Sequence, residues 1–133
     1  MRPVHDLDQL LAQLRPALTP GQFVFTTVTG PVPAAVRPVM TFTEGEGLSL
    51  IAAKAQADAA GLRYVVVTSW ITLTVHSALD AVGLTATVSK VLADAGIACN
   101  VVAATYHDHI FVPEADAEAA MRLLTALSAA ANA

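Results

Sequence analysis

Residues 76–101 read HSALDAVGLTATVSKVLADAGIACNV, and they carry the clearest secondary-structure pattern in the sequence. Its middle predicts an amphipathic helix over residues 85–95, because apolar side chains recur there at helical spacing. Those side chains are Val88, Val91, Leu92 and Ala95. Gly96 ends the helix, and the apolar, partly β-branched residues on either side predict strands over 70–76 and 97–104. The stretch therefore indicates a strand, a loop, a helix and a second strand.

The remainder of the second half predicts one more strand and one more helix. A turn over 105–108 leads to a strand over 109–112, and a helix follows Pro113 over residues 114–127. The alanine-rich tail, 128–133, is expected to fray. The segment 62–77 is too rich in β-branched residues for a helix. It is either one very long strand or two strands with a break near Ser69-Trp70.

The first half also predicts both helices and strands. Apolar spacing and turn residues place its elements as follows: a helical pattern over 7–17 that Pro16 ends, a turn at Thr19-Pro20-Gly21, strands over 22–28 and 38–43, a turn over 44–47, an extended segment over 48–51 and a short helix over 52–60.

The order of elements in each half resembles an incomplete βαββαβ unit. We therefore expect an α+β fold of two ferredoxin-like units, with antiparallel sheets and helices on one face. The predicted domains are residues 1–68 and residues 69–133. No sequence repeat relates the two halves, so the duplication is inferred from the order of elements alone.

Composition and charge exclude several classes of protein. The net charge is −4, and no two of the seven Lys and Arg residues are adjacent, so we expect no nucleic-acid partner. Neither a signal peptide nor a membrane-spanning run is predicted, and the single Cys99 permits a reducing compartment, so we expect a cytoplasmic protein without a membrane partner. Hydrophobic residues make up 55% and charged residues 14%, which favours a homodimer or a higher homo-oligomer.

Two short motifs carry a resemblance to a known family. Asp80-Ala81-Val82-Gly83-Leu84 and Ala95-Gly96-Ile97 resemble the loop and the helix end of an ACT domain. Residues 106–124 resemble the third strand and second helix of that domain, and the first half resembles the amino-terminal half of small bacterial tandem ACT proteins. The resemblance implies a regulatory protein that senses an amino acid or similar metabolite at a domain interface. It also implies an effect that passes through a regulated protein partner.

The loop before the predicted helix 85–95 has the chemistry to hold an amino acid. A carboxylate suits the amide hydrogens at a helix N-terminus, and Gly83 lets the backbone approach a ligand closely. Asp80 could accept from an ammonium, while Thr85 and Asn100 offer further polar groups. Val82 and Leu84 flank the glycine and complete the candidate site. The alternative is that Asp80 and Gly83 only shape a turn.

A second candidate wall lies at Thr43-Glu44-Gly45-Glu46-Gly47. Its glycines permit backbone donors to face a ligand, and Thr43 and Glu44 are the predicted contacts, with Glu44 meeting an ammonium. The alternative is an acidic turn in solvent.

Two other combinations of reactive residues give only weak indications, one of a metal site and one of a hydrolase site. His107-Asp108-His109 could supply metal ligands, but the other histidines are remote in sequence, and Asp108-His109 fits a turn into the next strand. His76 and Ser77 point to opposite faces of an extended strand, so they do not form a nucleophile and base. Trp70 is expected at the joint between halves or in the pocket wall.

These features predict a protein that is not an enzyme and has no catalytic residue, metal or cofactor. The main alternative is an oligomerisation or interaction module without a ligand. A small hydrolase or a metal-binding protein is the less favoured one.

Overall fold

The computed structural model describes residues 2–133. Its elements, in chain order, are α1 (Leu7–Ala12), β1 (Pro16–Val28), β2 (Met40–Glu44), β3 (Gly47–Ala53), α2 (Lys54–Ala59), β4 (Val67–Leu73), α3 (Leu84–Asp94), β5 (Asn100–Ala103), β6 (Asp108–Pro113), a 3₁₀ turn (Glu114–Asp116) and α4 (Ala117–Ala131). The strands have the order β2-β3-β1-β4-β6-β5. The predicted α+β class with ferredoxin-like units is confirmed.

The described chain forms two compact units, and each has its own core. Unit 1 contains the residues up to Thr19 together with Trp70–Ala133, and unit 2 contains Pro20–Ser69. The compact units are therefore not two consecutive halves of the chain. The division into domains 1–68 and 69–133, which concerns sequence order, stays a prediction.

In unit 1, helices cover one face of the strands. Ile71 and Leu73 on β4 and Ile110 and Val112 on β6 point towards the helices, because alternate strand residues share a face. The helices contribute Leu10, Leu84, Val88, Leu92, Ala120 and Leu124 to the same core, and Leu14 joins it from the segment between α1 and β1. Full burial of each leucine or isoleucine contributes about 1.5–3 kcal/mol to the free energy of folding. This core fixes the position of the loop between β4 and α3.

Unit 2 is a smaller sheet with a smaller core. β3 pairs antiparallel with both β1 and β2, in a register that places Ile51 opposite Phe25 and Met40. The buried side chains Val28, Val36, Leu50 and Ala52 form its core. The loop before β2 is tied to α2, since the Arg37 amide donates to Gln56 Oε1 at 2.8 Å.

Two predicted boundaries near the start of the chain are wrong. The helix predicted over 7–17 ends at Ala12, because Pro16 disfavours helical geometry in the residue before it, and Arg15 has a φ of 44°. The turn predicted at Thr19-Pro20-Gly21 is instead part of β1. Pro20 lies outside the pairing of β1 with β3, whose register begins at Phe23.

Two other expectations are resolved further along the chain. The 62–77 segment contains a single strand, β4, without a break at Ser69-Trp70. The tail does not fray at 128, since α4 continues to Ala131. Ser128 Oγ donates to Ala12 O at 3.2 Å, and Asn132 Nδ2 donates to the same carbonyl at 2.8 Å, so side chains hold the helix end on α1. Among residues 2–133, no helix is long and apolar enough to cross a bilayer.

Candidate ligand-binding site

A cavity of about 150 Å³ lies in unit 1, where the loop after β4 enters α3. The loop, the start of α3 and the facing ends of β5 and β6 form its wall. The lining residues are Ser77, Ala78, Leu79, Ala81, Gly83, Leu84, Thr85, Ala103 and Asp108. Most of these side chains are small, and Asp108 is the one acid among them.

Gly83 determines how the chain enters α3. It has a φ of 106°, which side chains with a β-carbon rarely adopt, and its carbonyl accepts the first helical hydrogen bond from Thr87 N at 2.9 Å. A β-carbon on Gly83 would also lie 3.1 Å from Leu7 Cδ2. Because a glycine precedes the helix, no side chain caps the first turn. The amide hydrogens of Leu84 and Thr85 belong to the first turn and have no partner within the helix.

The buried carboxylate of Asp108 forms another part of the cavity wall. Asp108 begins β6 and is only 9% exposed, and Ser77 is 7% exposed. Ser77 Oγ donates to Asp108 Oδ2 at 3.3 Å. None of the ion pairs formed within residues 2–133 includes Asp108. A buried carboxylate without a cation is costly, so a cationic group entering the cavity would be attracted to it.

The N-terminal segment, residues 2–6, holds the loop from outside. Val4 forms a parallel bridge with Ser77, in which Val4 N donates to His76 O at 2.7 Å and Ala78 N donates to Val4 O at 3.0 Å. His5 Nε2 lies 2.9 Å from Asp80 Oδ1, and both side chains are exposed. Asp80 therefore faces outwards from the loop and is not among the described residues that line the cavity.

The predicted site residues fall into three groups. Gly83, Leu84 and Thr85 line the cavity together. Asp80, Val82 and Asn100 belong to the same unit but do not appear in the cavity wall, and Val82 is 84% exposed.

Thr43 and Glu44 lie at the end of β2 in unit 2. Glu44 Oε1 accepts a short hydrogen bond from Ser49 Oγ on β3, so this carboxylate has a partner in its own sheet. Their role as a second pocket wall stays a prediction.

The sequence patterns do not predict six of the nine wall residues as ligand contacts. Ala78, Leu79, Ala81 and Ala103 carry no polar side chain, Ser77 is considered only as a nucleophile, and Asp108 is considered only as a metal ligand or a turn residue. The signal that could have found Ala103 and Asp108 is the strand pairing, because these two residues lie directly opposite each other in the register of β5 and β6.

A row of aromatic and imidazole rings lies on the other face of β4 and β6. Trp70 Nε1 donates to His109 Nδ1 at 3.0 Å, Thr72 Oγ1 lies 3.0 Å from the same nitrogen, and the Trp70 ring stacks on Phe111. Burial lowers the pKa of His109, the nearby His107 lowers it further, and the charge of Asp108 opposes both. Within residues 2–133, no group of three or more His, Cys, Asp or Glu is placed to hold a metal ion.

Cys99 is partly buried and packs against the core of unit 1. Burial raises the pKa of its thiol. The cysteine is therefore a packing residue, and it lies just before β5.

Comparison with solved structures finds a relative of substantial sequence identity. A Vibrio cholerae protein of unknown function, described as a possible transport protein, is 44% identical over 92% of this chain and 95% of that one, with a TM-score of 0.83. A protein from Agrobacterium tumefaciens is 21% identical over 85% of this chain and 87% of that one, with a TM-score of 0.71.

The regulatory subunit of aspartate kinase from Thermus thermophilus, in a ligand-free form, shares the fold at lower identity. It is 12% identical over 84% of this chain and 95% of that one, with a TM-score of 0.62. No curated protein sequence matches the chain.

Two sequence models of the ACT domain match the chain over nearly its whole length. One matches residues 2–69 and the other matches residues 65–126. The chain therefore belongs to the ACT domain family and carries two ACT domains in tandem.

Proposed function

We propose that this protein is a regulatory protein that binds an α-amino acid in the cavity at the start of α3. Membership of the ACT family supports a regulatory, ligand-sensing role, and the aspartate kinase regulatory subunits of the same fold agree with it. The protein acts without chemistry of its own, in the cytoplasm, through a protein partner.

The observation that carries the proposal is the pairing of two opposite electrostatic features in one cavity wall. The uncapped first turn of α3 offers amide hydrogens at Leu84 and Thr85, which favour a carboxylate. Asp108 offers a buried carboxylate, which favours an ammonium. An α-amino acid carries both groups on one carbon and can satisfy both features at once.

Ser77 is assigned a supporting role in this arrangement. Its hydroxyl donates to Asp108 Oδ2, so it orients the carboxylate and leaves the other oxygen for the ligand ammonium. The ammonium contact is therefore assigned to Asp108 in place of Asp80, which pairs with His5 outside the cavity.

Binding of the amino acid would affect how the protein associates with a second copy or a partner, because the cavity opens beside exposed apolar side chains. Leu79 lines the cavity and is 70% exposed, and Val82 in the same loop is also exposed. Apolar groups at the rim suit a contact with a second copy or a protein partner. A ligand that orders this loop would favour one arrangement of that contact over another. Ligand binding would thereby be coupled to assembly, and the protein would sense the ligand in this way.

Calorimetric titration with the twenty amino acids tests the proposal. The Asp108→Asn variant keeps the shape of the side chain and removes its charge, so we expect affinity to fall by about 1.5–3 kcal/mol. Asp80→Asn is the matched control, and its affinity should stay unchanged. Loss of binding in Asp80→Asn with full binding in Asp108→Asn would reverse the assignment.

The alternative function is an interaction module that binds no metabolite. The exposed Leu79 and Val82 favour it, since they suit a protein contact whether or not a ligand is present. A stable oligomer that binds none of the twenty amino acids would support this alternative.

A further inference from the structure

We infer that the ligand is an amino acid with a short, uncharged side chain, in the size range of alanine, serine and threonine. This inference rests on the proposed function, because it assumes that an amino acid occupies the cavity. It specifies the class of side chain from the size, the charge and the wall of that cavity.

The size of the cavity sets the first limit. Its volume is about 150 Å³. A cavity of about this volume in a protein interior holds a molecule of benzene's size. Alanine has as many non-hydrogen atoms as benzene, and serine has one more. Lysine, arginine and the aromatic amino acids are far larger, so the cavity does not enclose their side chains.

Charge sets the second limit. Asp108 is the one charged side chain among the described lining residues, and the proposed function uses it for the ligand ammonium. A second ammonium on the ligand would find no second carboxylate. An acidic side chain would lie near Asp108 without a cation to offset the repulsion. A neutral side chain leaves the one carboxylate and the helix N-terminus matched by the ligand's own two charges.

The wall sets the third limit, at Ala103. This residue lies directly opposite Asp108 across the β5–β6 pair, so the two side chains point to the same face. The methyl group of Ala103 therefore borders the space beside the carboxylate that holds the ammonium. A larger apolar side chain at position 103 would leave less room for the ligand side chain, and it would change no polar group of the wall.

The first test compares ligands with the unaltered protein. Titration with glycine, alanine, serine, threonine, leucine, phenylalanine, lysine and glutamate should give binding for the short uncharged members. Tighter binding of leucine, phenylalanine, lysine or glutamate than of alanine and serine would overturn the inference and leave the proposed function standing. Absence of binding by every amino acid would remove the proposed function and this inference together.

The second test narrows the wall. Ala103→Val should weaken serine and threonine about tenfold or more relative to glycine, since added methyl groups fill the space that their side chains need. Ala104→Val is the matched control, because Ala104 is an exposed neighbour that does not line the cavity, and it should leave the ratio unchanged. Circular dichroism spectra of both variants check that each of them folds. An unchanged serine-to-glycine ratio in folded Ala103→Val would contradict the assignment of this wall.

Discussion

Leu7 Cδ2 lies 3.1 Å from the point that a β-carbon on Gly83 would occupy. The contact joins α1 to the glycine that directly precedes α3. Two features of the structure therefore favour glycine at this position. One reason is the positive φ of 106°, and the other is the close approach of the leucine.

The first prediction concerns this glycine. Gly83→Ala should lower the free energy of unfolding by about 1–3 kcal/mol, because the added methyl group is strained by the backbone and meets Leu7. Gly96→Ala is the matched control, since Gly96 also has a positive φ but no atom lies within 4 Å of its would-be β-carbon. Urea denaturation of both variants checks the prediction, and equal losses would show that Leu7 contributes nothing.

The second prediction concerns the N-terminal segment. Val4→Pro removes the amide that donates to His76 O, so the loop at Ser77 and Ala78 should become more mobile and the ligand should bind more weakly. Hydrogen exchange of the Ala78 amide, which donates to Val4 O, should become faster.

Val4→Ala keeps the Val4 amide and serves as the control for lost side-chain packing. If both variants weaken the ligand equally, the amide bond to His76 is not what holds the site.

The third prediction concerns pH. Trp70 Nε1 can only donate, so His109 Nδ1 accepts and the ring is neutral in the folded protein. Burial, followed by the influence of His107, lowers the pKa of His109 below its ordinary value of 6.5. The unfolded chain therefore binds a proton at this histidine more readily than the folded one.

This difference in proton binding at His109 makes the folded protein less stable at acid pH. The contribution of His109 to stability is complete above a pH of about 6.5 and is lost as the pH falls towards the lower pKa of the folded state. Urea denaturation at several pH values should show a steeper acid-side loss for the native sequence than for His109→Gln, which cannot titrate. Parallel pH profiles of the two proteins would disprove the lowered pKa.

The fourth prediction concerns the thiol. Because burial raises the pKa of Cys99, little thiolate forms at neutral pH in the folded protein. A thiol reagent should therefore modify Cys99 much more slowly in the native protein than in the protein unfolded by urea. Equal rates in the two states would show that the fold does not protect the sulfur.

The order of elements in the second half could be predicted from periodicity, because its two long helices are amphipathic and Gly96 ends the first of them. The start of the chain could not, since Arg15 and Pro16 leave the helical pattern and β1 continues through Pro20. Proline and glycine favour a turn locally, and only the strand register shows that Pro20 lies outside the pairing of β1 with β3. The path of residues 2–19 into unit 1 depends on tertiary packing, which no local pattern encodes.

The candidate site could be predicted in part for a similar reason. Gly83, Leu84 and Thr85 are consecutive, so a single motif places them together. Asp108 and Ser77 are separated by 31 residues and meet only after β4 and β6 have formed. Asp80 has the same chemistry as Asp108, and sequence alone does not tell which of the two carboxylates is buried.

The most direct measurement is an ¹H–¹⁵N NMR titration of the protein with the tightest-binding amino acid. An amino acid held between the first turn of α3 and Asp108 should shift the amide signals of Leu84, Thr85 and Asp108 more than any others. In Asp108→Asn the same shifts should need a ligand concentration at least about tenfold higher. Shifts centred elsewhere, or shifts that appear at an unchanged ligand concentration in that variant, would contradict the site.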